Sequence, residues 1–422
     1  MNVIYREGAK RMESTFLTGL KILNVRHLHD IEIALSGESR KNLILTGKNG
    51  SGKTSVLKSI AKHLEYVISS SYEPEEITRE RLSLCRDRFS KCDDSEAGRI
   101  KKGEYRNEIT TILQESLTHW TDGAVVSCTS AALLREKYQN GQFVLAYYSD
   151  DRKISVTDYK NIEKVQLKLV YKISDRPSQD LGKYLVNLKS TQAFAQAKGD
   201  FQRAEQIEDW FRRFENVLRR IYQDDSLKLD FDIDTFQFSI LVNGREPFTF
   251  NTMSMGYAAV FDIVSDLMLR MESQRRYDLE GIVLIDEIET HLHVALQKEI
   301  VPILVELFPN IQFILTTHSP FILNSTPNAV VYDLENRCRV ADGLTDLPYE
   351  GIVEGYFNVD LLSRELREKF EAYKRLVHSQ ALTDSDYAKI AELEYYLDEI
   401  PDYLAVDFSE EYSRLKTEFR NR

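Results

Sequence analysis

The 422-residue sequence has no run of about 18 apolar residues, so no helix is expected to cross a bilayer. The opening stretch from Met1 to Phe16 is polar and lacks the apolar segment of a secretory signal, so export is not expected. Cysteine is scarce. The four residues Cys85, Cys92, Cys128 and Cys338 form no CxxC pair, and the step from Cys85 to Cys92 suits no common zinc motif. That argues against a disulfide scaffold and reads as reduced thiols in a cytoplasmic protein. An excess of positive charge is also missing: 55 Lys and Arg stand against 67 Asp and Glu, a net charge of -12. Such a chain does not coat nucleic acid indiscriminately, although a local basic groove could still meet phosphate. There is no internal repeat, no low-complexity segment and no sustained heptad, which excludes long coiled-coil arms.

What is present reads as a soluble globular chain of two or three units, with 42% apolar and 29% charged residues. In 16–60, Leu20, Ile22 and Leu23 and then Ile31, Ile33 and Leu35 alternate like strands. Leu43-Ile44-Leu45 is a short buried strand of the parallel kind. Residues 61–225 are expected to form a mostly helical insert. Within it, Glu75 to Lys102 is charged and weakly patterned, and carries Arg79, Arg81, Arg86, Arg88, Lys91, Arg99, Lys101 and Lys102. Phe143–Tyr148 and Val165–Lys172 look like strands. One amphipathic helix is expected from about Phe194 to Tyr222, its apolar stripe running from Ile207 through Trp210, Phe211 and Phe214 to Ile221 as core or as a contact between copies. Residues 226–342 return to strands. An antiparallel meander turns at Asn243-Gly244, a helix runs from about Gly256 to Glu272, and two buried strands, Ile282–Ile285 and Phe313–Leu315, flank a helix ending near Phe308. The remainder, 343–422, is acidic and helical. Thr383-Asp-Ser-Asp386 is a capping pattern, and Pro401 is expected to end the helix that follows.

Four motifs carry chemistry. Gly47-Lys-Asn49-Gly50-Ser51-Gly52-Lys53-Thr54-Ser55 fits GxxxxGK[ST] between a strand and a helix, where glycines let backbone N–H groups wrap phosphates at a helix N-terminus. Lys53 is expected on the β- and γ-phosphates of ATP, and the Thr54 hydroxyl on Mg²⁺. Asp286-Glu287 follows four apolar residues and so sits at the carboxyl edge of the sheet. There Asp286 would join the Mg²⁺ shell and Glu287 would act as general base toward water. His318 in Thr316-Thr317-His318-Ser319-Pro320 ends the next strand, where it could hydrogen-bond a γ-phosphate. Asn251-Thr-Met-Ser254-Met-Gly256-Tyr257 opens a helix, and taken alone Ser254 there is no more than an N-cap.

In this order the motifs resemble an ABC-type ATPase. The implied fold is α/β: a P-loop head with a mixed sheet flanked by helices, a largely helical insert and a C-terminal helical tail. The head would comprise 1–60 and 226–342. The resemblance makes Ser254 and Gly256 the signature motif, which holds the γ-phosphate of ATP bound to a second copy. A homodimer or a higher even-numbered oligomer is therefore expected. Leu23-Asn-Val-Arg26-His-Leu resembles the opening strand of the RecF and SMC group and places Arg26 with the nucleotide-binding residues. Glu287-Ile-Glu-Thr-His291-Leu-His293, Pro309-Asn-Ile-Gln312-Phe and Thr317-His318-Ser-Pro320 are similar to ATPases of bacterial anti-phage defence, the OLD, Septu, retron-associated and PARIS families. Tyr147-Tyr148 with Arg152 resembles their mid-insert strand. His291 and His293 would then belong to a D-loop, although His-x-His is also metal-ligand spacing. Gln142 is a candidate Q-loop residue. Met255 within the signature and Val294 after the D-loop depart from the usual pattern.

The P-loop-to-signature distance is far longer than in transporter ATPases, and the Tyr257 helix lacks their glutamine. Neither a Toprim pattern nor an HNH cluster is recognisable, so effector chemistry is expected on a separate, nuclease-like protein. The leading expectation is an ATP-hydrolysing sensor and regulator of a defence system. The alternatives are a RecF- or SMC-like repair clamp acting on DNA directly, and a switch that binds ATP and hardly turns over. Nucleic acid therefore stays open as a partner, and a membrane does not.

Overall fold

The computed structural model describes residues 14–69, 75–93, 95–118, 122–151, 162–341, 343–345, 364–379, 381–398 and 406–420. The segment before Ser14, Arg152, Pro401 and the side chain of Arg79 lie outside them. Two compact units divide the chain, Met1–Asp346 and Leu347–Arg422.

The first unit is built on a six-stranded sheet. Its strands are β3 (Asn42–Thr46), β5 (Phe143–Tyr148), β9 (Glu280–Ile285), β10 (Ile311–Thr316), β11 (Ala329–Asp333) and β12 (Cys338–Val340), in the order β12-β11-β3-β10-β9-β5. All pairings except the edge pair β11–β12 are parallel. The five parallel strands are covered on both faces, which is why they read as continuous apolar runs rather than alternations. On one face lies an antiparallel sheet of β1 (Leu17–Val25), β2 (Leu28–Ala34) and β4 (Ala124–Cys128), with the helices α1 (Lys53–Ile68) and α4 (Ala131–Gln139). Leu43, Leu45, Leu145, Ile282, Leu284 and Ile314 point into this layer. Alternate residues point the other way. There Tyr148 meets Asp266 of α7 (Met255–Glu272), and α8 (Val294–Leu307) packs beside α7. The result is a mixed α/β head with a central parallel sheet flanked by helices.

Residues 61–225, expected as one helical insert, are in fact shared between this head and a helix pair. The strands β4 and β5 complete the two sheets. The helices α2 (Glu75–Ser90) and α3 (Glu96–Thr118) pack chiefly on each other, with Arg106 lying over the Phe89 ring at 5.8 Å. Within the charged, weakly patterned stretch 75–102, residues 75–90 and 96–102 are helical, and Cys85 is buried. The amphipathic stretch expected from 194 to 222 is two helices, α5 (Leu181–Ala197) and α6 (Phe201–Tyr222). Gly199 takes the left-handed φ of 78° between them, and the Asp200 side chain accepts from Arg203 N–H at 3.2 Å to start α6. The stripe on α6 is core: Trp210 stacks on Phe214 at 5.2 Å, and Phe211 stacks on Phe238 of the meander β6 (Lys228–Phe231), β7 (Phe238–Leu241) and β8 (Phe248–Thr249). Val165–Lys172 forms no strand. The outer edge of β5 is taken instead by Ile173, whose carbonyl accepts from Tyr147 N–H, while the Lys172 carbonyl accepts from Arg270.

The short helix α9 (Pro320–Leu323) closes the turn after β10. In the second unit the described residues form the helices α10 (Arg364–Val377), α11 (Asp384–Asp398) and α12 (Val406–Arg420), packed around Phe370, Tyr373, Ile390, Leu397 and Leu415. Thr383 and Asp386 cap α11 reciprocally: Thr383 N–H donates to Asp386 at 2.8 Å, and Asp386 N–H donates to the Thr383 hydroxyl at 3.3 Å.

His63 of α1 is buried against β4, where its Nδ1 accepts from Val126 N–H at 3.2 Å, and burial pushes its pKa down from 6.5 to about 4. The unfolded chain takes up this proton below pH 6.5, while the folded chain refuses it until about pH 4. Stability should therefore fall as pH drops through that window. Between pH 7 and pH 5 the loss from this residue should be about 2 kcal/mol in urea unfolding, and it should vanish in His63→Gln. An unchanged pH slope in that variant would remove His63 as its source.

Candidate active site

Five parallel strands deliver their carboxyl ends to one edge, and the motif residues arrive there with them. The strand β3 runs into the P-loop and α1. Gly52 takes a left-handed φ of 98°, and a Cβ there would sit 2.9 Å from Cδ1 of Leu28 at the start of β2, so glycine suits both the backbone and the close approach. Lys53 is buried, and its Nζ donates to the carbonyls of Gly47 at 2.8 Å and Lys48 at 3.1 Å. At the loop tip Lys48 pairs with Glu335 at 2.8 Å. An open cleft of about 370 Å³ lies beside it, lined by Lys48, Asn49, Ser51, His27, Leu28, Glu335 and Arg337 among others. Arg26 is exposed at φ 55° in the β1–β2 turn and is not part of that lining. Ser55, in the first turn of α1, accepts from the Ser59 hydroxyl at 2.9 Å.

Asp286 follows β9 and is fully buried. Its Oδ1 accepts from the Thr316 hydroxyl at 2.6 Å and from the Thr54 hydroxyl at 3.2 Å, and its N–H donates to the Tyr148 carbonyl at 2.8 Å. Glu287 donates its N–H to Thr316 Oγ1 at 2.7 Å and takes a left-handed φ of 43°, a strained setting for a side chain with a Cβ. His318 Nε2 lies 3.7 Å from Glu287 Oε1, and the His318 N–H donates to Glu289 at 2.5 Å. Burial and then the nearby Lys53 hold the His318 imidazole below its ordinary pKa, against the pull of Glu289 and Glu287, so it is neutral at pH 7. Burial likewise lowers Lys53, although Glu287, Glu289, Asp286 and Asp333 all favour its charge.

These observations fit a bound divalent cation of the hard type. Asp286 Oδ2 is buried with no hydrogen-bond partner, as are the Ser51 hydroxyl and one oxygen of Glu289. The donors beside it are all oxygens, the set that Mg²⁺ takes. Four carboxylates also face a loop shaped for phosphate, a clash of charge that a cation would relieve.

Ser254 stands at the N-terminus of α7, but its side chain does not cap the helix. Among the described residues no hydrogen bond joins Ser254 or Gly256 to the P-loop. Gly256 instead lies against the loop before α8, where a Cβ would be 3.2 Å from the His291 carbonyl oxygen and 3.3 Å from Leu296 Cδ1. Met255 and Val294, the two departures from the usual pattern, are both exposed. His293 caps α8, its Nδ1 accepting from Leu296 N–H at 3.2 Å, and no group of three or more metal-ligand side chains occurs among the described residues. Gln142 precedes β5, at the opposite edge of the sheet from the P-loop, and so cannot serve as a Q-loop residue. Three further groups escaped the sequence reading: Thr316 as the bridge between the acids, Glu289 as the acceptor for His318, and the hydroxyl of Tyr147. That hydroxyl is buried without a partner, and its pKa is raised by burial and then by Asp286, Asp150 and Asp151. Only the Thr316-Thr317-His318 run and the Tyr147-Tyr148 pair hinted at them.

The family described as "AAA domain, putative AbiEii toxin, Type IV TA system" matches residues 132–324, a range that holds both acids and His318 but not the P-loop. The Septu protein PtuA of Bacillus mycoides (strain KBAB4) is 25% identical over 397 residues, 90% of this chain and 50% of that protein. The "Retron Ec83 probable ATPase" of Escherichia coli is 32% identical over 149 residues, 33% of this chain and 27% of that protein. The chain thus spans about half the length, or less, of these curated relatives. Among solved structures, the SMC head bound to the C-terminal winged-helix domain of ScpA is 12% identical with a TM-score of 0.38, covering 78% of this chain and 99% of that one. The chain is related to Septu PtuA over most of its length and to the retron ATPase over a third of it.

Removing a buried hydroxyl that has no partner relieves a desolvation cost. Tyr147→Phe should therefore raise the stability of the nucleotide-free protein by about 1 kcal/mol in denaturant unfolding. A loss of similar size would mean that the hydroxyl is bonded.

Proposed function

We propose that this chain binds ATP with Mg²⁺ and hydrolyses it in a site completed by a second copy, as the regulatory ATPase of an anti-phage system with a separate effector. The observation that carries the reading is the convergence of Lys53, Thr54, Asp286, Glu287 and His318 on one sheet edge, with an oxygen of Asp286 buried and unpaired. Lys53 would exchange its two loop carbonyls for phosphate oxygens. Thr54 and Asp286 would hold Mg²⁺, which supplies positive charge against the triphosphate.

Glu287 would accept a proton from water as the water oxygen bonds to the γ-phosphorus. The bond to the β-phosphate oxygen then breaks, and its electron pair leaves with ADP. Neutral His318 keeps an N–H for the γ-phosphate. Ser254, unused as a cap, would address the nucleotide of the partner copy, which makes a two-fold pair the minimal working unit. ATP binding would favour the closed pair because only there does the γ-phosphate gain contacts from both copies. The relationship to PtuA and the retron ATPase supports the defence setting.

Phosphate release measured with Mg²⁺ should fall about 100-fold or more in Lys53→Ala and in Glu287→Gln. Glu287→Gln with ATP should sediment as a dimer, and Lys53→Ala should not. Equal phosphate release in all three proteins would sink the hydrolytic reading. An ATP-dependent co-purification with the product of the adjacent gene would test the effector, and its absence with every neighbour would end that part of the proposal.

A further inference from the structure

A second pocket lies away from the sheet edge, where α5 and α6 meet the connection from α7 to β9. Its volume is about 340 Å³, within the range of small-molecule sites. The floor is Trp210, Tyr184 and the Glu272 carboxylate. Glu272 is fully engaged: one oxygen accepts from Tyr184 Oη at 2.9 Å, and the other from Trp210 Nε1 at 2.8 Å and from Tyr277 Oη. Its lone pairs therefore have little left for a basic ligand.

The rim carries three guanidiniums, Arg203, Arg213 and Arg275. Among the described residues none of them has a carboxylate within ion-pair distance. Arg213 lies over the Tyr277 ring at 5.0 Å, and Arg275 reaches only the Gln206 side-chain oxygen, at 3.5 Å. The remaining acid of the rim, Asp209, is already paired with Arg212. Three uncommitted guanidiniums around one concavity are unusual on a chain of net charge -12.

Arg275 adds a second observation. It sits just past the end of α7 at φ 49°, its N–H donating to the Glu272 carbonyl at 2.9 Å. Glycine or asparagine takes that left-handed position at lower cost, so an arginine there carries strain that the fold alone does not explain.

We propose that this pocket binds a compact phosphate-bearing anion. Guanidinium forks match phosphate oxygens two at a time, and three of them suit a group of more than one negative charge better than a single carboxylate. The site stands apart from the P-loop and does not depend on the ATPase reading. It adjoins the far end of the helix that opens at Ser254, through Glu272 in its last turn.

Trp210 supplies the readout, because Trp120 is the only other tryptophan. In full-length protein carrying Trp120→Phe and Lys53→Ala, which silences the P-loop, inorganic phosphate, pyrophosphate and ADP are each titrated while Trp210 emission is followed. The expected result is a saturable change with pyrophosphate or ADP, weakened about tenfold or more by Arg213→Ala and by Arg275→Gly. The glycine variant is the safeguard for folding, since it removes the guanidinium where glycine relaxes the backbone. Tighter binding of ADP than of pyrophosphate identifies a nucleotide as the source, and the reverse identifies an inorganic or simple organic phosphate. The proposal is overturned if no probe gives saturation by about 10 mM, or if the two arginine variants titrate like their parent.

Discussion

A single buried carboxylate organises the sheet edge. Asp286 has its Oδ1 shared by the hydroxyls of Thr316 and Thr54, and its N–H bonded to the Tyr148 carbonyl. Those three contacts come from β10, from the helix after the P-loop and from β5. A charge taken out of water is tolerated only when it is compensated, and here two hydroxyls and the field of Lys53 supply part of that compensation. The other oxygen has none. The edge is thus assembled around an acid that the protein alone leaves incomplete, and the strain at Glu287 sits in the next residue.

The other face of the sheet fixes what stands behind that edge. Asp266 and Arg270 of α7 form a buried ion pair at 2.7 Å. Asp266 also accepts from the Tyr148 hydroxyl at 2.7 Å and from Ser178 N–H at 3.2 Å. Arg270 donates to the carbonyls of Leu145 at 3.0 Å and Lys172 at 3.1 Å. A buried pair of this kind is weak evidence for stability, but its directional bonds permit one placement of the helix. The helix that opens at Ser254 is therefore held to β5, the strand whose last carbonyl receives Asp286. Ser254 and the acid pair are thus tied to the same strand, although among the described residues no hydrogen bond joins them.

The legible part of this architecture was local. Gly47–Thr54, the apolar runs before Asp286 and His318, the meander around Asn243-Gly244 and the Thr383 cap are each written in consecutive residues, where backbone sterics and burial act over short range. The misread parts depended on distant chain. Val165–Lys172 alternates like a strand, yet the edge it would join is bonded through Ile173 and Arg270. The stretch 194–222 looked continuous because its stripe is strong, and the break needed only the left-handed turn at Gly199. Residues 61–225 looked like an insert because nothing in their order says that β4 pairs with β1 or that β5 pairs with β9.

The sequence by itself determined the phosphate loop, the acid pair and the helix start at Ser254, because each is a short pattern whose chemistry depends on spacing along the chain. Tertiary structure alone decided that Thr316 bridges Asp286 and Glu287, that Tyr147 and an Asp286 oxygen are buried without partners, and that three arginines ring a pocket ending on Glu272. Those facts depend on which strands lie side by side and on what water can reach, and neither is encoded at any one position.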